Sequence, residues 1–286
     1  MLRCGWWREN LFCTLEEIDA PPLTPEILSA QPKSETSVAL EWRAADASIR
    51  FQVHRSLANG SFEIIADNVA KASYRDEGLV EGETYLYTVK ALNADRLPSP
   101  PSKVATVSLA YRTAFVAAPT QQDPGNGGAC VVQIIKAYDA TQPHDQNNLM
   151  LVSGNVLRLT LRGPASLELD QIYISQVAMP TGLNPAPAPW DSAPDLTPVG
   201  RKVNFTNGAV QTLPSVAYRF DPTRDFIVSF DISNAPGLGD LSYALEAGPT
   251  AYFRPGAEAG IPGGNRSADF QPRMDRLYLV ERIEVL

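Results

Sequence analysis

The stretch "LVEGETYLYTVKALN", residues 79–93, decides how the first part of the chain folds. In its second half, every second position carries an apolar residue, namely Tyr85, Tyr87, Val89 and Ala91. Side chains alternate between the two faces of a β-strand, so this spacing predicts a strand with one buried face. The Gly82 that precedes it is typical of a turn. The sequence therefore predicts a tight turn that leads into a half-buried strand.

Three more segments between residues 22 and 109 alternate in the same way. They are "SVALEW" (37–42), "IRFQVHRS" (49–56) and "FEIIADN" (62–68). Turn signals such as "LANG" (57–60) separate them at regular intervals. Short alternating strands with regular turns are typical of a β-sandwich. The residues predicted to face its core include Val38, Leu40, Trp42, Phe51 and Val53.

Several spaced features of this part resemble a fibronectin type III domain. They are Trp42, the pair Phe51-x-Val53, the pattern Leu79-x-x-Gly82-x-x-Tyr85 and the Ser/Pro-rich close "RLPSPPS" (96–102). The resemblance covers residues 22–109 and implies a tyrosine corner, in which the Tyr85 hydroxyl bonds back to the chain. Domains of this family are mostly spacers or binding modules, so the resemblance implies no enzymatic activity.

The rest of the chain is predicted to form a linker and a second sandwich. Residues 110–129 contain the Pro/Gly-rich run "QQDPGNGG" and are predicted to be the linker. From residue 130 to 286, seven or eight strand-like runs predict a jelly-roll-like sandwich. The predicted fold is therefore all-β: a docking segment (1–21), a fibronectin type III sandwich (22–109), the linker, and the larger jelly-roll-like domain (130–286).

Two long Pro-rich loops interrupt the second domain, at residues 179–200 and 248–273. Long loops in a compact domain are often functional, and aromatic rings in them can stack against sugars. The candidate glycan- or receptor-binding residues are Trp190, Asp191, Tyr252, Phe253 and Arg254. The alternative is that these aromatic residues fasten the loops onto the sandwich or onto a neighbouring subunit.

The N-terminal stretch "MLRCGWWRENLF" (1–12) concentrates large apolar residues outside both predicted sandwiches. Exposed apolar clusters mark interaction sites, and Trp is enriched at binding hot spots. The sequence therefore predicts a docking segment whose contact residues are Leu2, Trp6, Trp7, Leu11 and Phe12.

Charge and composition exclude several classes of function. A net charge of −8 and a pI near 4.9 disfavour binding to nucleic acid. No apolar run approaches the roughly 20 residues that span a bilayer, and no signal peptide is recognisable, so we expect neither membrane insertion nor standard secretion. Three cysteines do not predict a disulfide framework, and whether Cys4 pairs with Cys13 stays open.

Catalytic and metal-binding patterns are also missing from the sequence. It contains no G-x-S-x-G motif, and only two histidines, His54 and His144, of which His54 is predicted to lie exposed on a strand. Asp139, His144 and Asp145 fall within "DATQPHDQNN" (139–148), which suits either a cation site or a polar loop. We therefore expect a non-enzyme without cofactor or metal.

Two runs of the second domain, residues 157–178 and 218–233, resemble β-sandwich modules of phage tail and other virion proteins. Similar modules accompany SGNH-type hydrolases. The resemblance implies a structural or binding component of a virion, such as a phage tail, fibre or capsid-surface protein, assembled in the host cytoplasm. It would dock through its N-terminus onto other structural proteins, form homo-oligomers and offer a surface for a cell-surface glycan. The alternatives are a soluble carbohydrate-binding accessory protein and a hydrolase with an unrecognised site.

Overall fold

The computed structural model describes most of the chain, and throughout the described residues it shows strands, turns and loops but no helix. These residues are 2–7, 10–15, 20–44, 50–117, 121–123, 130–141, 149–163, 167–183, 186–205, 210–232, 242–244, 250–261, 266–274 and 277–286. The chain divides into two compact units, and the boundary falls between Leu109 and Ala110. The all-β prediction is confirmed.

The N-terminal segment forms an antiparallel hairpin of strands β1 (Leu2–Trp7) and β2 (Asn10–Leu15). Its register places Leu2 opposite Leu15, Cys4 opposite Cys13, and Trp6 opposite Leu11. These three pairs alternate with Arg3–Thr14, Gly5–Phe12 and Trp7–Asn10. The segment predicted to dock is thus a regular two-stranded element.

The rest of the first unit is a sandwich of two antiparallel sheets. Its strands are β3 (Glu26–Ser34), β4 (Ser37–Arg43), β5 (Arg50–Leu57), β6 (Glu63–Val69), β7 (Ser73–Glu77), β8 (Thr84–Leu92) and β9 (Ala105–Ser108). One sheet has the order β3-β4-β7 and the other β6-β5-β8-β9. The described residues predicted to face inward are all buried in one core between the sheets: Val38, Leu40, Trp42, Phe51, Val53, Tyr85, Tyr87, Val89 and Ala91.

The tyrosine corner is present. The backbone N–H of Val80 donates a hydrogen bond of 2.9 Å to the hydroxyl of Tyr85. Gly82, between them, has a φ of 87°, a left-handed conformation that glycine adopts without a steric penalty. The Leu-x-x-Gly-x-x-Tyr spacing therefore serves a definite geometry: the glycine makes the turn, and the tyrosine closes it.

A buried carboxylate joins the two sheets of this sandwich. The Tyr87 hydroxyl on β8 donates to Asp76 on β7 over 2.9 Å, and the Arg55 guanidinium on β5 lies 3.2 Å from the same carboxylate. A carboxylate that leaves water without such partners would be strongly destabilising. Asp76 therefore depends on both partners, and it fixes the sheets relative to each other.

His54 differs from the prediction of an exposed strand histidine, because only 9% of its surface is accessible. Its neighbours across the sheet are Ile64 and Thr88, and its Nε2 is buried without a hydrogen-bond partner. The local alternation is broken by a bulge between Val53 and His54, which a strict period of two does not anticipate. Burial, followed by the positive charge of Lys90, lowers the pKa of His54.

The second unit contains thirteen strands among its described residues, and most belong to two antiparallel sheets. The strands are β10 (Arg112–Val116), β11 (Gln121–Asp123), β12 (Cys130–Ile135), β13 (Gly154–Arg162), β14 (Glu168–Gln176), β15 (Thr197–Asn204), β16 (Val210–Thr212), β17 (Val216–Phe220), β18 (Phe226–Ile232), β19 (Ser242–Ala244), β20 (Thr250–Arg254), β21 (Gln271–Met274) and β22 (Val280–Val285). One sheet runs β10-β22-β13-β16, with β17 also paired to β13. The other runs β15-β14-β18-β12-β20-β21.

This order is that of a jelly roll. The two-stranded sheet β11-β19 stands apart from the two main sheets. With β16 and β17 taken as one interrupted strand, the eight strands β10, β12, β13, β14, β15, β16/β17, β18 and β22 form sheets of order 1-8-3-6 and 5-4-7-2. The hairpin of β20 and β21 is an insertion between the seventh and eighth strands and extends the second sheet beside β12. The predicted jelly-roll-like sandwich is therefore confirmed as to its strand order.

In the second unit, the structure differs from the sequence prediction in the linker and in both long loops. Residues 112–116, expected to be linker, form β10, which pairs with β22 at the edge of the first jelly-roll sheet, and residues 121–123 form β11, which pairs with β19. The segment 179–200, expected to be a loop, contains the start of β15. The segment 248–273, expected to be one long loop, contains β20 and part of β21. β10 and β20 are short and end near prolines, so their apolar alternation is too brief to be recognised as a periodic pattern in the sequence.

Replacing Tyr85 with Phe should destabilise the first unit by about 1 kcal/mol, since the Val80 N–H loses its acceptor while the ring still fills the core. The measurement is urea unfolding, monitored by hydrogen exchange in peptides from β4 and β8. Tyr74→Phe is the matched control, because that hydroxyl makes no hydrogen bond with any described residue. Equal effects of the two substitutions would contradict the role assigned to the corner.

The stability of the first unit should fall as the pH drops from 7.5 to 5. The folded His54 has a pKa below its ordinary value near 6.5, so as the pH falls the unfolded chain binds the proton first. Proton binding stabilises the unfolded chain, and the free energy of unfolding decreases. The measurement is the urea midpoint of this unit against pH. His54→Gln should flatten the profile in this window, whereas His144→Gln should leave it unchanged. A slope that survives His54→Gln would show that another group is responsible.

Candidate functional site

The aromatic residues of the two long segments meet on the outer face of the β15-β14-β18-β12-β20-β21 sheet. The ring of Trp190, between β14 and β15, lies 5.0 Å from that of Tyr252 on β20 and 5.6 Å from that of Phe270 (centroid distances). Trp190 and Tyr252 are half-buried, and Phe270 is buried. We call these three side chains the aromatic cluster.

Beneath the aromatic cluster lies an apolar layer made by the two central strands. It consists of Cys130, Val132 and Ile134 of β12 and Ile227 of β18, and Ala259 and Phe270 of the second long segment pack against it. The opposite side of the same strands faces the main core of the sandwich, so β12 and β18 are buried on both faces. The aromatic cluster therefore acts as a cover that keeps water from the outer side of the sheet.

The structure separates the candidate glycan-binding residues. Trp190, Tyr252 and Arg254 share the outer face, whereas Phe253 points into the main core and packs edge-on against Tyr278 at 5.0 Å. Asp191 is only 4% exposed, and its Oδ2 accepts a 2.8 Å hydrogen bond from the Ala188 N–H. Since neighbouring strand residues face opposite sides, Tyr252 and Phe253 could not both line one surface.

Arg254 is bound on two sides by carboxylates. Its guanidinium forms ion pairs with Glu258 and with Asp269, the latter at 3.0 Å, and lies 5.9 Å above the Phe270 ring. Because both partners belong to the segment that follows β20, Arg254 fastens that segment to the strand. Its charge is thereby largely neutralised within the chain.

Arg266 is the residue that sequence reasoning missed. It is 6% exposed, and it donates to the carbonyl oxygens of Trp190, Ala259 and Glu258 and to the Ser229 hydroxyl. One guanidinium thus joins both long segments to the centre of the sheet. In the polar run "GGNRSADF" an arginine looks like an ordinary exposed residue, so no sequence signal could have found it.

Two buried acids complete this polar layer. Asp231 Oδ1 accepts from the N–H groups of Glu258 and Ala259, and the Glu258 carboxylate accepts from the Ser267 N–H at 2.8 Å. Burial raises the pKa of Asp231 and also that of the neighbouring Cys130 thiol. The carboxylates of Asp231 and Glu258 accept hydrogen bonds from backbone N–H groups of the long segment, so this polar layer holds the segment in place.

The residues predicted to dock lie at known positions of the N-terminal hairpin. Trp6 and Leu11 are direct partners, and Leu2 is opposite Leu15. Trp7 and Phe12 belong to the alternate set of pairs. Leu2, Trp6 and Leu11 thus belong to one alternating set of register pairs, and Trp7 and Phe12 belong to the other.

Only part of the candidate cation loop lies within the described residues. There, the Asp139 Oδ1 accepts hydrogen bonds from the N–H and hydroxyl of Thr141, which form a local turn. His144 and Asp145 lie outside the described residues. Over the part of the chain that the structure covers, no three His, Cys, Asp or Glu side chains come together in a way that could hold a metal ion.

Among the described residues, no helix has the length and apolar character that crossing a membrane requires.

Comparison with known proteins gives partial matches. No family model matches the chain. Poly(3-hydroxybutyrate) depolymerase of Ralstonia pickettii is 34% identical over 96 residues, which is 34% of this chain and 18% of the depolymerase. The chain thus spans less than a fifth of that curated relative.

Solved structures similar to the chain include fibronectin type III domains. A Fn3-like protein from Clostridium thermocellum is 30% identical over 30% of this chain and 92% of its own, with a TM-score of 0.28. The sixth such domain of human fibronectin type III domain containing protein 3 is 19% identical over 36% of this chain and 95% of its own, with a TM-score of 0.29.

The strand order of the first sandwich and the hydrogen bond from the Val80 N–H to Tyr85 decide the assignment. Residues 26–108 form a fibronectin type III domain. This fibronectin type III domain carries the described hydrophobic core of the first unit, and the jelly roll follows it directly, because β10 begins only four residues after β9 ends.

Replacing Arg266 with Met should destabilise the jelly roll by about 3 kcal/mol. The substitution takes the Arg266 donor from the Trp190 carbonyl and one of two donors from the Ala259 carbonyl, and it removes a buried charge from its acidic neighbours. The loss of stability is measured by urea unfolding, monitored by hydrogen exchange in peptides from β12 and β18.

Arg282→Met is the control for that substitution, because the Arg282 side chain lies in the same unit and is 46% exposed. It should cost less than about 0.5 kcal/mol. If both substitutions had the same small effect, Arg266 would not be holding the segments on the sheet.

Proposed function

We propose that this protein is a non-enzymatic structural and binding component of a virion, such as a phage tail, fibre or capsid-surface protein. The N-terminal hairpin docks it to the assembly, the fibronectin type III domain is a spacer, and the jelly roll is the displayed module. The β-sandwich architecture supports the general role of a binding or structural module.

The register of the hairpin is the observation that carries the docking step. The pairs Leu2–Leu15, Cys4–Cys13 and Trp6–Leu11 contain no charged residue, and they occupy successive positions on one face. An isolated two-stranded hairpin is marginally stable in water and needs something to pack against. An apolar face of this kind is suited to a partner protein or to the same hairpin of another copy.

The jelly roll supports the displayed role. This architecture recurs in viral capsid and lectin domains, and both use the sandwich as a rigid support for surface loops. Here Arg266 and Arg254 hold the two long segments against the sheet, so the jelly roll presents a fixed surface. Arg266 and Arg254 have a structural role in this proposal, because their guanidinium groups bind backbone carbonyls and carboxylates of the long segments.

The proposed partners are other structural proteins of the assembly and further copies of the chain, with a cell-surface glycan as the candidate ligand of the jelly roll. Neither nucleic acid nor a membrane is a proposed partner. The proposal places its assembly in the host cytoplasm.

A soluble carbohydrate-binding accessory protein is the second candidate. The observation that favours it is the half-buried Trp190–Tyr252 pair on the outer face of the jelly roll, which keeps part of its aromatic surface open to a sugar ring. The partial match to a poly(3-hydroxybutyrate) depolymerase places a related sequence in a polymer-degrading enzyme. Such a protein would be indifferent to changes in the hairpin.

The combined substitution Trp6→Ser and Leu11→Ser should abolish self-association, because it makes one face of the hairpin polar. We expect the unaltered chain to form a defined oligomer, and the variant to have the monomer mass of 31.1 kDa. Light scattering after size-exclusion chromatography measures both masses.

Arg3→Gln with Thr14→Ser alters the opposite face of the hairpin and should leave the oligomer intact. A monomeric mass for the unaltered chain would contradict docking between copies. An oligomer that persists in the Trp6/Leu11 variant would move the interface away from the hairpin.

A further inference from the structure

The two cysteines of the N-terminal hairpin are direct partners in its register. Cys4 lies opposite Cys13, and the pair that closes the hairpin is Trp7–Asn10. Two residues separate Trp7 from Asn10, and a hairpin with a connection of that length closes on a pair that exchanges both backbone hydrogen bonds. Hydrogen-bonded and non-hydrogen-bonded pairs alternate along an antiparallel ladder. Cys4–Cys13 is the third pair beyond the closing one, so it is a non-hydrogen-bonded pair.

The spacing at this position matches that of a disulfide. In a non-hydrogen-bonded pair, the Cα atoms are about 4.5 Å apart, and the Cβ atoms are closer than in the hydrogen-bonded pairs on either side. A disulfide joins Cα atoms that are roughly 4.4–6.8 Å apart, and it needs Cβ atoms that approach each other. The hairpin backbone therefore holds Cys4 and Cys13 at a spacing that a disulfide can bridge without a change of register.

The third cysteine is unsuited to disulfide exchange. Cys130 on β12 is fully buried and belongs to the other compact unit of the chain. Burial, followed by the negative charge of Asp231, raises the pKa of its thiol. Because the thiolate is the nucleophile in disulfide exchange, a buried thiol with a raised pKa stays reduced. Of the three cysteines in the sequence, Cys4 and Cys13 are therefore the two that can pair.

We propose that Cys4 and Cys13 form a cross-strand disulfide when the chain meets a small-molecule disulfide such as oxidised glutathione. One cysteine thiolate attacks a sulfur of oxidised glutathione, which forms a mixed disulfide and releases one glutathione thiolate. The other cysteine thiolate then attacks the protein sulfur of the mixed disulfide and releases the second glutathione thiolate. Two protein thiols are thus oxidised, one S–S bond is exchanged for another, and the two protons pass to the two glutathione molecules.

The disulfide fixes the register of the hairpin. Cys4–Cys13 lies between Leu2–Leu15 and Trp6–Leu11 in the same alternating set of pairs. A two-stranded hairpin by itself is marginally stable in water, and a cross-link removes many of the open conformations available to it. Oxidation therefore keeps the apolar pairs on either side of the cross-link aligned. The disulfide forms within one chain, so it does not depend on docking to a partner.

The test is peptide mapping of the full chain after exchange with a mixture of reduced and oxidised glutathione. Trypsin cuts after Arg8, so Cys4 and Cys13 fall in separate peptides that stay together only through a disulfide. We expect the linked peptides to exceed the glutathione-capped forms at least about tenfold, since opposed thiols react within one molecule. A non-reducing denaturing gel should show a monomer. Free or glutathione-capped cysteines, a link to Cys130, or a link between chains would overturn the proposal.

A shift of one cysteine separates the effect of register from mere proximity along the chain. In the combined variant Cys13→Ser and Thr14→Cys, the thiol moves by one position and stands opposite Arg3. Neighbouring strand residues belong to opposite faces, so the yield of a link to Cys4 should fall at least about tenfold. Cys13→Ser alone is the control and should give no linked peptides. An undiminished yield in the shifted variant would refute the role of the register.

Hydrogen exchange measures the consequence for the hairpin. Amides in peptides from residues 2–15 should exchange at least about tenfold more slowly in the oxidised chain than in the chain treated with a reductant. Cys4→Ser should exchange at the same rate under both conditions. Equal exchange in the oxidised and reduced forms of the unaltered chain would contradict the conclusion that the disulfide fixes the hairpin.

Discussion

Burial of strands β12 and β18 on both faces is the constraint on which the rest of the jelly roll depends. Apart from Gln133, their residues on the inner side are apolar, and those on the outer side are apolar except for Ser229 and Asp231, so each face of the sheet needs a cover. The opposing sheet covers the inner face. The aromatic cluster and the segment around Ala259 cover the outer face.

The cover stays in place through a buried charge. A guanidinium moved out of water without partners would be strongly destabilising, and Arg266 is tolerated because carbonyl oxygens and a hydroxyl accept its donors. Asp231 and Glu258 in turn accept hydrogen bonds from backbone N–H groups of the same segment. The same principle operates in the fibronectin type III domain, where Tyr87 and Arg55 satisfy the buried Asp76. Each unit thus contains a polar contact that fixes how its layers fit together.

This arrangement changes the meaning of the aromatic residues in the long segments. In sequence they resemble a binding platform, and in the structure Trp190 is packed between Tyr252 and Phe270 above an apolar layer. A cavity between the end of β14 and β17 differs from the aromatic cluster, since most of the residues that line it carry polar groups.

The sequence by itself determined the all-β class, the principal strands with clear alternation, the fibronectin type III core and its tyrosine corner. Those features depend on residues near each other along the chain, such as Leu79, Gly82 and Tyr85, so a local pattern is sufficient to predict them. Only the tertiary structure decided that Phe253 faces the core, that β10 completes a sheet, that His54 is buried, and that Arg266 joins two distant segments. It alone brought Asp195, Tyr218 and Arg224 to one cavity. These contacts link strands far apart in sequence, and the periodicity of each strand carries no information about which neighbour will lie against it.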